Sequence, residues 1–217
     1  MTKNYSVIAF DLDGTLTDPK QGLVEGFLYA FGKLGIDAGP RESLVRFIGP
    51  PLFEEWQREF GFTAGESEHA ILLFREYYNV FGWWNNRVYD GIENLLIQLK
   101  KRGKRLVVAT SKPEDTARKV LALFGIDKYF DYIGGADGHK ARDKKQEVLE
   151  YSLGMLGGVT PDECILVGDR VYDAVGAREV GIDSLGVLWG HGSEEEIRKS
   201  GFTYIAASPD EVLEILK

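Results

Sequence analysis

The stretch Val7-Ile8-Ala9-Phe10-Asp11-Leu12-Asp13-Gly14-Thr15-Leu16-Thr17-Asp18 decides the fold. Its short apolar run reads as a buried strand. The run ends in two aspartates one residue apart, and then a glycine suited to a tight turn. Carboxylates are costly to bury unless something pairs with them. Strand alternation puts residues i and i+2 on one side, so Asp11 and Asp13 can converge on one point. A cation is the natural companion for such a pair. A generic Asp-x-Asp-Gly also serves as an ordinary acidic turn, but the whole string is more specific than that.

Beyond this strand the pattern turns helical. Leu23, Phe27, Phe31 and Leu34 recur at helical spacing. Gly39-Pro40 and Gly49-Pro50-Pro51 punctuate the stretch. A short helix through Leu44 and Val45 and two more, over 52–60 and 66–81, complete a helical bundle at 19–86. From Asp90 helix and strand alternate. Strands are expected at 106–109, 132–133, 164–167 and 184–188. Pro113 is expected in the first turn of the helix that runs to Phe124. Ser208-Pro209-Asp210-Glu211 has capping-box spacing and opens the last helix. The expectation is an α/β protein whose parallel sheet is covered on both faces, formed by 1–18 and 87–217, with 19–86 inserted as a second domain.

Composition narrows the partners. With 26 basic against 34 acidic residues the chain carries a net charge of −8, which suits neither nucleic acid nor an anionic membrane surface. No apolar run approaches the ~20 residues of a membrane span. Asp11 and Asp13 cut the first apolar run short of a leader-peptide pattern. The single cysteine, Cys164, excludes an internal disulfide and reads as a small core residue. A cytoplasmic setting is the expectation.

Ligands of open parallel sheets bind at the carboxyl ends of the strands. Following each expected strand there are Asp11 and Asp13, then Thr110-Ser111-Lys112, then Gly168-Asp169 through Asp173. A basic cluster, Lys140, Arg142, Lys144 and Lys145, precedes the helix through Val148. Acids, a hydroxyl and a lysine thus meet at one sheet edge, where core packing needs none of them.

In this order the four elements resemble the haloacid dehalogenase-like hydrolase superfamily, over essentially the whole chain. Phe47-Ile48-Gly49-Pro50-Pro51-Leu52 and Val88-Tyr89-Asp90-Gly91-Ile92 are similar to its phosphoglycolate phosphatase and 5′-nucleotidase-like branch, although that branch often has proline where Asp90 stands. The resemblance implies a Rossmann-like three-layer core with an inserted α-helical cap. It implies a magnesium-dependent phosphatase acting on a small phosphomonoester through an aspartyl-phosphate. Asp11 would be the nucleophile and Asp13 the general acid and base. Mg2+ would be held by Asp11, the backbone carbonyl of Asp13, and Asp169, with Asp173 orienting its waters. Thr110, the N–H of Ser111 and a lysine would hold the phosphoryl oxygens. The lysine is Lys145, which matches an Arg-x-x-Lys pattern through Arg142, or Lys144. An acid at position 13 favours phosphoester chemistry over dehalogenation.

Rival readings are a phosphomutase, a receiver-like phospho-acceptor domain, and a catalytically silent binding protein. His69, His139 and His191 lack metal-ligand spacing. The aromatics of the bundle read as core packing before base stacking. Arg46 and Lys20 are candidates for a substrate anion or for plain surface charge. Gly190-His191-Gly192 reads as a flexible loop. Neither the individual substrate nor the oligomeric state is legible.

Overall fold

Six strands of 3–9 residues form one all-parallel sheet in the order β5-β4-β1-β6-β7-β8. They are β1 (Val7–Phe10), β4 (Arg105–Pro113), β5 (Tyr132–Ala136), β6 (Cys164–Gly168), β7 (Asp183–Val187) and β8 (Tyr204–Ala206). Two-residue strands, β2 (Thr17–Asp18) and β3 (Arg87–Val88), complete the numbering. The computed structural model describes residues 3–137 and 142–217. His139 and Lys140 of the basic loop lie outside the described residues.

The strands form where apolar, β-branched runs are buried on both faces, as in β1, buried at all four residues. Its register with Cys164–Val167 on one side and Arg105–Val108 on the other places β1 between β6 and β4. The chain leaves β1 toward β4 and β5, then crosses to β6, β7 and β8. The order in which successive strands are added therefore reverses beside β1, the usual place for a ligand crevice. Val7, Ala9, Val107, Ala109, Cys164 and Leu166 face one side, where α6 (Lys145–Gly154) and α7 (Val171–Val180) contribute Val148, Leu149 and Ala177 to the same cluster. Helix α5 (Glu114–Leu123) packs on β4 and β5, and α4 (Ile92–Lys101) on α9 (Pro209–Ile215). The α/β reading with a parallel, Rossmann-like sheet holds. The three-residue β8 was not foreseen, being too short to show a period.

The chain divides into two compact units, Met1–Asp18 with Val88–Lys217, and Pro19–Arg87. The second is helical: α1 (Lys20–Leu34), a 3-10 segment (Arg41–Phe47), α2 (Leu52–Phe60), α3 (Ala64–Tyr77) and a π turn (Tyr78–Gly82). Thr63 and Glu66 cap α3 reciprocally. Inside, Phe27 stacks on Phe74 at 5.2 Å and meets Trp56 and Phe47 edge-on. The helix expected over 66–81 ends earlier, at Tyr77, where the backbone widens into the π turn. Gly82 allows this, since a Cβ there would stand 2.5 Å from the Tyr78 ring.

Pro113 also departs from expectation. It is extended (φ −52, ψ 131) at the end of β4, and α5 begins at Glu114. The register of β4 with β5 shifts between Thr110 and Pro113, so the strand runs on past its irregularity and takes the proline with it.

Candidate active site

Asp11 follows directly on β1, Asp169 on β6, and Asp173 lies in the first turn of α7. Carboxylate oxygens of all three lie within 4.8 Å of one another, and all three residues are buried. The geometry rests on adjacent strands: Phe10 is in register with Val167, so the residues after β1 and β6 leave the sheet side by side.

Lys145 opens α6 and reaches into this trio. Its ammonium lies 2.7 Å from Asp11 Oδ1 and 2.9 Å from Asp173 Oδ1, and donates to the Ala109 carbonyl at 3.0 Å. Glu147 accepts from the N–H groups of Asp143 and Lys144 and so fixes the start of the helix. Gly176 of α7 leaves room for the lysine stem, since a Cβ there would sit 2.6 Å from Lys145 Cγ. Of the two lysine readings, Lys145 is the one buried against Asp11, whereas Lys144 is the exposed N-cap residue.

Electrostatics at the cluster are demanding. Burial pushes the Asp169 carboxyl well above its ordinary range, and the charges of Asp173 and Asp11 push it further. Burial also raises Asp173, against the pull of Lys145. Burial works against the charge on Lys145, yet Asp11 and Asp173 hold its pKa above the ordinary value. Of the three buried carboxylates Lys145 pairs with two, Asp11 and Asp173, so the charge of the trio is only partly compensated. A divalent cation with oxygen preference fits such a donor set. Asp173 has both oxygens engaged already, Oδ1 with Lys145 and Oδ2 with the Arg170 N–H at 3.1 Å. Asp169 is engaged by lighter donors, Thr15 Oγ1 at 3.3 Å and the His191 N–H at 2.7 Å.

The side chain of Asp13 is not in that trio. It pairs through Oδ2 with the Lys112 ammonium, which is itself buried. Its Oδ1 is buried without a hydrogen-bond partner among the described residues. Gly14 turns the chain here with φ +90, and a Cβ at this position would strike Asp169 Oδ2 at 2.2 Å. Thr110 is buried where the register of β4 shifts, and its hydroxyl accepts from the Lys112 N–H at 3.2 Å. Ser111 is exposed next to it.

Lys112 and Thr15 carry roles that sequence reasoning missed. Lys112 was quoted only as part of a strand-end triplet. Its position two residues beyond Thr110 was a usable signal, but the register shift in β4 hides where such a side chain points. His191, read as part of a loop that leads to the Ser193 helix, lies in such a loop and also reaches the acidic cluster. Its N–H is bonded to Asp169, its ring nitrogen Nε2 stands 3.7 Å from Asp18 Oδ1, and its side chain is 6% exposed. Arg142 donates to the Gly135 carbonyl, pairs with Glu114 and lies over the Tyr151 ring, so it ties β5, α5 and α6 together. Arg46 pairs with Glu59 and covers the Phe47 ring. His69 and the other described histidines form no metal cluster with other ligating side chains among the described residues.

A family model described as haloacid dehalogenase-like hydrolase matches residues 8–187. A 5′-nucleotidase of Pseudomonas aeruginosa is 38% identical over 213 residues, which is 98% of this chain and 96% of that protein. The tyrosine-protein kinase PtkA of Mycobacterium tuberculosis is 41% identical over 213 residues, 97% of this chain and 72% of that protein. A crystal structure of a predicted phosphatase from Clostridium acetobutylicum superposes with a TM-score of 0.93 at 38% identity, covering 98% of each chain.

Proposed function

This chain belongs to the haloacid dehalogenase-like hydrolase family and is a phosphatase of it, and we propose that it hydrolyses a small phosphomonoester with Asp11 as nucleophile and Mg2+ as cofactor. The observation that carries the reading is the buried trio Asp11, Asp169 and Asp173 with Lys145 set among them. Buried charge of this density costs folding free energy and has no packing use.

In this reading Asp11 attacks phosphorus through the carboxylate oxygen not held by Lys145, giving an aspartyl-phosphate. Asp13 gives a proton to the leaving alcohol from Oδ1, the oxygen without a partner, and then takes one from the water that cleaves the intermediate. Lys112 on Oδ2 holds the carboxylate in place between the two steps. Thr110, the Ser111 N–H and Lys145 bind the phosphoryl oxygens. Asp11, the Asp13 carbonyl and Asp169 would hold Mg2+, with Asp173 behind them. When bound, the ion supplies charge neutralisation for the transferring phosphoryl group. We read Pro19–Arg87 as the inserted cap of this family. The soluble substrate, whether the esters phosphoglycolate or a nucleoside monophosphate or the anhydride pyrophosphate, is to be found by screening.

The test is hydrolysis of an aryl phosphate and a metabolite panel with Mg2+, repeated after chelation. Turnover that stops with chelation and returns with Mg2+ supports the reading; full turnover in metal-free enzyme contradicts it. A second reading is favoured by one observation, the 41% identity to a relative named a tyrosine-protein kinase. There the acceptor would be a protein hydroxyl rather than water. Label from a γ-phosphoryl donor appearing on protein tyrosine, with no release of inorganic phosphate from esters, would favour it.

A further inference from the structure

The segment Trp189-Gly190-His191-Gly192 follows β7, the strand beside β6, and is wrapped around Asp169. The Trp189 Nε1–H donates to the Thr15 carbonyl at 3.1 Å. The Thr15 hydroxyl donates to Asp169 Oδ1 at 3.3 Å, and the His191 N–H to Oδ2 at 2.7 Å. Three hydrogen bonds thus link Trp189, Thr15, Asp169 and His191, and the main chain through Gly190 closes the path. Main chain passes very close there. A Cβ at 190 would lie 2.3 Å from Asp169 Cβ and 2.5 Å from the Gly14 carbonyl, and a Cβ at 192 would lie 2.1 Å from the Asp169 carbonyl.

A carboxylate that holds a cation needs a fixed plane, and partners behind a ligand supply it. Here both oxygens of Asp169 are oriented by donors that carry no charge. They hold the carboxylate without neutralising it, as a charged donor such as Lys145 would. A strand-to-helix linker has no need of a part-buried indole bond or of two glycines packed on one aspartate.

We propose that Trp189-Gly190-His191-Gly192 is a clasp that fixes the Asp169 carboxylate against the Asp13–Thr15 turn for cation binding, with Trp189 and Gly190 as positioning residues. The clasp rests on the reading of Asp169 as a metal-holding residue. It makes the order of this loop a determinant of metal affinity, separate from substrate binding.

The experiment is calorimetric titration of Mg2+ into the full-length wild type, Trp189→Phe and Gly190→Ala, paired with kcat and KM for an aryl phosphate at saturating Mg2+. Circular dichroism checks the fold. Trp189→Phe keeps the apolar ring and loses the donor, so Mg2+ should bind roughly tenfold more weakly, with KM unchanged once the metal is saturating. Gly190→Ala should weaken Mg2+ further; should it fail to fold, Trp189→Phe decides. Folded variants that bind Mg2+ as tightly as the wild type overturn the clasp. So does a parallel worsening of metal affinity and KM, the mark of general loosening. A wild type that binds no Mg2+ removes the metal reading itself and the clasp with it.

Discussion

In the sheet unit Asp11, Asp169, Asp173, Lys112 and Lys145 are buried, while in the helical unit the largest buried side chains are Phe27, Phe31, Phe47 and Trp56. The helical unit buries what stability alone asks for. Its rings meet at 4.8–6.4 Å in stacked, tilted and edge-on pairs, each worth about 0.5–1.5 kcal/mol beyond area. Its one buried charged residue, Glu55, is still 9% exposed and pairs with Arg58. The sheet unit buries like charges within 4.8 Å of one another, which no folding argument explains. Burial of apolar surface therefore marks where the helical unit is held together, and burial of unbalanced charge is what the proposed site rests on.

The largest effect should come from removing the cation of the acidic trio. Lys145→Met should cut phosphatase turnover at least ~10²–10³-fold, the scale for losing one preorganised charge donor. Steady-state kinetics with Mg2+ present checks this, and near-normal turnover in a folded variant would break the distinction between the units. Next is the helical core. Trp56 is fully buried, so Trp56→Ala should cost about 3–5 kcal/mol of stability. Denaturant unfolding measures it, and a loss no larger than that of an ordinary surface change would sink the packing account.

The smallest effect separates a balanced carboxylate from the unbalanced ones. Asp183, at the start of β7, accepts from Lys3 at 3.0 Å and from the Tyr5 hydroxyl at 2.8 Å. Burial alone would raise its pKa, but these donors bring it below the ordinary value. A lowered folded-state pKa gives stability above the unfolded carboxylate range, lost as pH falls through the folded value. Asp183→Asn should lower Tm slightly at neutral pH, and the difference should shrink below about pH 4. A difference independent of pH would contradict the assignment.

Much of this was legible from residues alone. Asp11, Asp13, Thr110 and Asp169 stand at strand ends that their apolar runs announce, and alternation of helix and strand announces the parallel sheet. The choice between Lys144 and Lys145 was not legible, because neighbouring helix positions point about 100° apart and the first turn is set by the Glu147 cap. The Lys112–Asp13 pair was hidden by the shift in β4 register. The path through Trp189 and Thr15 joins residues 174 positions apart, and only main-chain packing on Asp169 reveals why Gly190 is a glycine. Close approach of backbone to a side chain leaves little trace in periodicity or composition.

The central claim is that Asp11 receives the phosphoryl group. Rapid quenching during turnover of a good ester substrate, followed by borohydride reduction and peptide mass mapping, tests it directly. The expected result is reduction at Asp11, dependent on both substrate and Mg2+. Trapping at a different side chain, with Asp11 unmodified, would contradict it.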